Sequence, residues 1–387
     1  MKLLFIHDHP FYMEEKAVYS GGGLPYFTWS NYLVNFNEVV VYGRYSHNFK
    51  DKKVKSSTDK VSFHLTKNYS TVLTLFKNKK KLEQELVPLI NKADVVLVRL
   101  PSVLGFIAGN MALKSNKPLW VEQVGNAKEA LGSHGSLLGK IAAPVFEFQN
   151  KKITKQANFL SYVTAHKLQK DYPANPKAIT VGISDVIIND VIDEKVLNGE
   201  RFSAGVFKVG LIGGFDAKYK GQDVLLKAIA SLEDDIKNHI QISLIGKGNS
   251  TWVLELAKGL NLQDHIEYMG PLESGEQINT FLKKLSLYVQ PSLTEGMPRA
   301  AIEAMAMGCP VIGSNVGGIP DIVSKQYVHK KGDVKELANH IKTLYLNRES
   351  LREEAVLSLK KAMPYQKENL DKKRLEFYAR MNKELVR

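Results

Sequence analysis

Short apolar runs alternate with helix-period segments along the whole chain, a pattern that predicts parallel sheets with helices on both faces. In the first half the strand-like runs are KLLFIH, EVVVYG, VSFHLT, DVVLVRL, PLWVEQV, FLSYVT and AITVGI. In the second half they are VFKVGLIGG, QISLIGKG, HIEYMG, LSLYVQ and PVIGS. Helices are predicted between them, among others over residues 221–233, 274–285 and 334–346. No short repeat and no low-complexity tract interrupts the series. The polar segment SDVIINDVIDEKVLNGERFSAG, residues 184–205, reads as an interdomain connection. The expected organisation is an α/β chain of two Rossmann-like domains, residues 1–183 and 206–362. A final helical segment, residues 363–387, packs back toward the first domain. Ligands of such sheets bind beyond the carboxyl ends of the strands, so two facing domains are expected to enclose a cleft.

The length of 387 residues suits two domains, and 44% hydrophobic with 24% charged residues are globular values. The single cysteine, Cys309, excludes an internal disulfide and fits a reducing, cytoplasmic compartment. The opening MKLLFIHDHP is too short in apolar residues for a secretory signal, and no run approaches the roughly 20 needed to cross a bilayer. The net charge of +13 is uneven. Residues 1–195 hold 26 Lys and Arg against 17 Asp and Glu; the remainder holds 27 against 23. The densest basic cluster includes Lys77, Lys79, Lys80 and Lys81, beside Phe76 and Leu82. Such lysines either keep a surface soluble or meet an anionic partner, of which the inner face of a membrane is favoured. Nucleic acid is disfavoured, because no binding motif or aromatic-interleaved basic stripe is present.

The candidate chemistry starts with TEGMPRAAIEAMAMGCPVIGSNVGG, which sets Glu295 and Glu303 eight positions apart among small apolar residues. Pro298 suits a first helical position, residues 300–307 are strong helix formers, and Gly308 with Pro310 stops the helix. Glu295 then sits on a strand-to-helix loop and Glu303 inside the helix. GLIGGFDAKYKGQDVLLKAI places Lys220 before a helix that follows a strand, which suits an anionic group. Gly21, Gly22 and Gly23 are expected to follow the first strand and to open a helix near Leu24, where backbone amides approach a phosphate. The G-x-G-x-x-G spacing of dinucleotide binding is absent. His7, Asp8 and His9 in FIHDHP read as a polar lining rather than a metal site, for want of further ligands.

The Glu–x7–Glu frame, preceded in order by VGLIGGFDAKYKG and LIGKG, resembles the retaining glycosyltransferases of the GT-B fold, and among them family 4. The likeness is strongest over residues 200–325. It implies that Glu295 lies against the donor sugar and that Glu303 holds the ribose hydroxyls of a nucleoside-diphosphate (NDP) sugar. It gives Lys220 the departing diphosphate, with Gly22, Gly23, Gly214, Gly296, Met297 and Arg299 also at the donor, and needs no metal or other cofactor. The first domain would then serve a saccharide or lipid-linked acceptor, and the second the NDP-sugar, in polysaccharide synthesis. The family's usual arginine position holds Gly214, with Lys218 and Arg299 as nearby charges. Its histidine position in the first domain falls in a run with Glu122, Gln123 and Asn126. A GT-B epimerase and a non-catalytic nucleotide-sugar-binding protein remain the alternatives.

Overall fold

The apolar runs become strands where neighbouring elements cover both of their faces. A computed structural model describes residues 1–386 other than 22, 48–52, 68–73, 75, 76, 133–136, 198, 203, 204 and 217; the side chains of 130–141, 199 and 200 are likewise outside the description. The chain divides into two compact units, one of residues 1–163, 168–183 and 373–387, the other of residues 164–167 and 184–372.

Among the described residues the first unit holds a nine-stranded sheet. Its strands are β1 (Lys2–Glu14), β2 (Ala17–Ser20), β3 (Glu38–Tyr45), β4 (Val54–Lys55), β5 (Val61–Thr66), β6 (Val95–Leu100), β7 (Leu119–Gln123), β8 (Phe159–Tyr162) and β9 (Ile179–Gly182). The parallel part runs β5-β3-β1-β6-β7-β8-β9. Its central strands are buried end to end at Leu3–Ile6 and Val95–Val98, as sheets covered on both faces require. The far end of β1 turns back into an antiparallel hairpin with β2, and β4 pairs beyond it. This corrects the expected glycine loop. The run at residues 21–23 follows the returning strand β2, not the first strand. Only a short 3-10 turn, Tyr26–Trp29, and the four-residue helix Ser30–Leu33 come after it, behind Pro25, which has no amide hydrogen to offer.

Among the described residues the second unit has a six-stranded, all-parallel sheet. It comprises β10 (Phe207–Ile212), β11 (Ile240–Ile245), β12 (Ile266–Tyr268), β13 (Leu287–Gln290), β14 (Val311–Ser314) and β15 (Val328–His329). They lie in the order β12-β11-β10-β13-β14-β15. The order reverses direction between β10 and β13, and loops after both strands leave the sheet at the same end. That is where an open parallel sheet has room for a ligand.

Within the segment read as a connection, Arg201 is tied into the second unit. Arg201 donates to the carbonyls of Met307 (3.0 Å) and Gly308 (2.7 Å) after one helix, and of Leu282 (3.1 Å) and Lys283 (3.1 Å) at the end of another. Its guanidinium thereby caps two helix C-termini, where carbonyls lack partners and the dipole favours a cation. The last helix, Lys367–Leu385, begins in the second unit and ends in the core of the first. Phe377 and Tyr378 pack on Trp120 at 5.4 and 5.9 Å between ring centroids, and Met381 is fully buried. Among the described residues no helix is long and apolar enough to cross a membrane.

Candidate active site

The loop after β10 is shaped by what it must touch. Gly213 lies under the stem of Lys220, where an added Cβ would come within 2.7 Å of Lys220 Cγ. Gly221 has φ 77° and a missing Cβ that would stand 2.1 Å from the carbonyl oxygen of Pro291, so no other residue fits without moving backbone. Just before it, the Tyr219 carbonyl accepts from Leu293 N at 2.7 Å. The β10 and β13 loops are thus laced together, and Lys220 points to the segment that follows β13.

That segment carries Glu295. The Lys220 ammonium donates to both of its oxygens, at 2.8 and 3.1 Å. On the other side a buried relay supports it. Ser292 Oγ donates to Glu295 Oε2 at 3.0 Å, Gln290 Nε2 donates to Ser292 Oγ at 2.8 Å, and Tyr288 OH donates to Gln290 Oε1 at 2.8 Å. Tyr288, Gln290 and Ser292 are all buried, so each polar atom of the relay has to find its partner inside the protein. The loop is seated from below by the NVGG turn. Gly317, at φ 52°, would place a Cβ 2.1 Å from the Glu295 carbonyl oxygen, and Gly318 N donates to the Gly296 carbonyl at 2.7 Å.

The helix carrying Glu303 spans Arg299–Ala306, with Pro298 as its N-cap rather than its first helical residue. Ala301, Ile302, Ala304 and Met305 face the core, leaving Glu303 on the side that lines a pocket. Burial pushes its carboxyl above the ordinary glutamate range, opposed in part by the Arg299 guanidinium.

The pocket has a volume of about 330 Å³. Lys220, Glu295, Met297, Arg299 and Glu303 meet in it, joined by Lys247 and Gln290 and by an apolar wall that includes Ile212, Ile245, Leu272 and Ile278. Three cationic side chains, two carboxylates and an apolar slot at strand ends can hold an anion, hydroxyl groups and a flat ring together. Gly296 anchors the loop from behind through Gly318, and the Gly214 carbonyl accepts from Gln222 Nε2 at 3.0 Å without lining the pocket. Lys218 is turned away, its ammonium 4.9 Å from the centre of the Trp252 ring. Gly23 belongs to the first unit, against His9, and Gly22 lies outside the described residues.

Lys247, Gln290 and Ser292 are the residues that sequence reasoning passed over. Their signal was present: a lysine in LIGKG directly after a strand, and a polar pair closing an otherwise apolar run, SLYVQPS. Neither declares its direction without the fold.

In the first unit the middle of β1, where it runs past its pairing with β6, and the carboxyl ends of β6 and β7 also gather polar groups. Asp8 accepts from the amides of Val103 (2.6 Å) and Leu104 (2.9 Å), and Tyr32 OH donates to Glu122 at 3.0 Å, with Arg99 Nε 3.7 Å from the same carboxylate. Burial, helped by Arg99 and Arg44, pushes His9 down to about 4 and His7 well below its ordinary value. Both therefore stay neutral. Of the basic cluster, Lys79–Lys81 open the helix Lys79–Lys92 and Leu82 is fully buried, while Phe76 lies outside the described residues.

A family model described as Glycosyl transferases group 1 matches residues 206–347, the span that builds this pocket. Protein CapJ of Staphylococcus aureus is 36% identical over 372 residues, covering 96% of this chain and 93% of CapJ. The chain belongs to the group 1 glycosyltransferases. Solved structures agree on the fold of this glycosyltransferase. The lipopolysaccharide outer core galactosyltransferase WaaB superposes with a TM-score of 0.61 at 15% identity, over 99% of this chain and 100% of that one. Anabaena HepE, solved in complex with UDP-glucose, superposes with a TM-score of 0.60 at 16% identity, over 98% and 99%. The architecture is GT-B, with one Rossmann-like sheet in each unit.

Proposed function

We propose that this glycosyltransferase moves a sugar from an NDP-sugar to a saccharide or lipid-linked acceptor, with retention at the anomeric carbon, in cell-surface polysaccharide synthesis. The observation that carries the reading is the convergence of Lys220, Glu295 and Glu303 on one pocket of the second unit. Glu303 accepts from the ribose diol, a pairing that a half-buried carboxylate makes selective. Glu295 faces the transferred sugar, the amides of Gly296 and Met297 lie on the same loop, and that of Arg299 opens the helix after it. Lys220 stabilises the charge that develops on the diphosphate as the sugar leaves, a role that elsewhere falls to a metal ion. UDP-glucose bound to HepE makes uridine donors the first to try.

The acceptor falls to the first unit, whose sheet gathers His7 and His9 from the middle of β1 with Arg99 and Glu122 near the ends of β6 and β7. A lipid-linked acceptor would be met at the cytoplasmic face of a membrane. The basic excess of residues 1–195 favours that, as does the helix Leu137–Gln156, which exposes Val145 and Phe148 beside Lys152 and Lys155. Binding to anionic vesicles that weakens with salt supports this docking; equal binding to neutral vesicles removes it.

Thermal unfolding with UDP, GDP, ADP and CMP tests the donor reading first, because the matching nucleotide raises the midpoint by mass action. The matched NDP-sugar is then assayed with EDTA present, and the product is read by NMR. Full turnover in EDTA and a retained anomeric configuration are expected. Inversion, or loss of turnover restored by a divalent ion, overturns the corresponding part of the proposal.

A further inference from the structure

The Lys220 ammonium is engaged by both oxygens of Glu295, at 2.8 and 3.1 Å. Reading this pocket as a donor site gives the same ammonium to the diphosphate and the same carboxylate to the sugar. One ammonium cannot serve Glu295 and a diphosphate with full strength, so the two partners compete.

Which of the two would move is decided by what else holds them. Glu295 is also gripped by Ser292 at 3.0 Å, through the buried relay of Gln290 and Tyr288, and its side chain is 11% exposed. Lys220 is held at its stem over Gly213 and its side chain is 20% exposed, with four rotatable bonds to swing through. The carboxylate stays and the lysine turns.

The consequence differs for donor and product. A free NDP that draws Lys220 away leaves a mostly buried carboxylate beside a diphosphate, with a neutral hydroxyl as its compensation. Stranding a charge in that way is unfavourable. An NDP-sugar brings hydroxyl donors to the same carboxylate and makes good the loss. Once the sugar has been transferred those donors depart, and Glu295 again competes for Lys220.

We propose that the Lys220–Glu295 ion pair competes with the diphosphate for the lysine, so that the pocket selects the NDP-sugar over free NDP and expels the NDP after transfer. The pair is then a specificity determinant in addition to the parts its members play in the reaction. It also predicts weak product inhibition, which suits an enzyme working repeatedly on a growing glycan.

The test rests on calorimetric titration of the wild type and of Glu295→Gln with three ligands. They are the best-binding NDP among UDP, GDP and ADP, its glucose ester, and the nucleoside alone. Removing the competing charge should tighten NDP binding, on the order of fivefold for a pair of this exposure. The NDP-glucose affinity should hold or fall, and the nucleoside affinity should not change. Glu295→Ala, checked for cooperative unfolding, repeats the test without an amide that could still bond Lys220. Equal tightening of NDP and NDP-glucose would reduce the effect to simple repulsion and overturn the exchange. Unchanged NDP affinity overturns it too, as does an equal shift for the nucleoside, which would indicate a changed pocket shape. Absence of NDP binding to the wild type is a separate result, because it rejects the donor-site reading on which the exchange rests.

Discussion

Glu303 shows what a single side chain trades for a site. Its carboxyl is pushed up by burial, so the folded chain holds that proton to higher pH than the unfolded chain does. The sign follows directly. Its contribution to stability is fully present below the ordinary glutamate range and is lost as pH rises through the raised folded value. At neutral pH its charge therefore costs the fold, and Glu303→Gln should raise the urea midpoint there. Glu303→Ala should weaken NDP binding by roughly 1–3 kcal/mol, the range for losing partners of buried polar groups. The affinity of the wild type should fall on acidification, starting at a pH above that at which an ordinary glutamate titrates, as the carboxylate is protonated. Lys220 makes a different prediction. Lys220→Met should leave the nucleoside bound and reduce turnover by about 100-fold or more, since the lost charge acts mainly on the leaving group. A variant that keeps full turnover with its own acceptor removes Lys220 from the reaction.

At the scale of elements, the pocket depends on helices and loops being stopped and tied at the right places. Arg201 does this for two helices through four carbonyls, from a segment whose sequence reads as a polar connection. Arg201→Gln should destabilise the second unit by roughly 2–4 kcal/mol, because several half-buried carbonyls lose a charged donor together. Denaturant unfolding of the purified variant checks the value, and a change below 0.5 kcal/mol, the ordinary surface range, would show that water replaces the arginine. Gly221 makes the sharper case. Gly221→Ala puts a methyl group 2.1 Å from the Pro291 carbonyl oxygen at a φ that alanine avoids. It should lower nucleotide affinity as well as stability, because the displaced backbone carries Lys220.

Over the whole molecule, acid should be felt through the buried histidines. His9 is held at about 4, and His7, His329 and His340 also lie below the ordinary value of 6.5, in each case chiefly by burial. The unfolded chain therefore binds protons that the folded chain refuses, and stability should fall as pH drops from about 6.5 toward 4. Urea midpoints measured over that window test it, and His9→Gln should flatten the slope. The two units contribute by the same physics: His7 and His9 lie midway along the first strand of one sheet, and His329 lies on the last strand of the other.

The order of strands and helices was legible in the sequence because burial on both faces writes itself into local composition. VVLV at residues 95–98 and LYV at 287–289 are strands for that reason, and residues 334–346 form the expected helix to the residue. The frame of Glu295 and Glu303 was legible too, since a loop followed by a helix needs only Pro298 and Gly308 to be read. The hairpin strands β2 and β4 were not, because AVYS and VK are short and mixed in polarity. Nor was the pairing of Lys220 with Glu295, which are 75 residues apart, or the arrival of Lys247 in the same pocket. Periodicity reports which face of an element is buried. Only the packed sheet, by bringing the ends of β10, β11 and β13 together, decides which charges share one low-dielectric space and therefore which of them must answer one another.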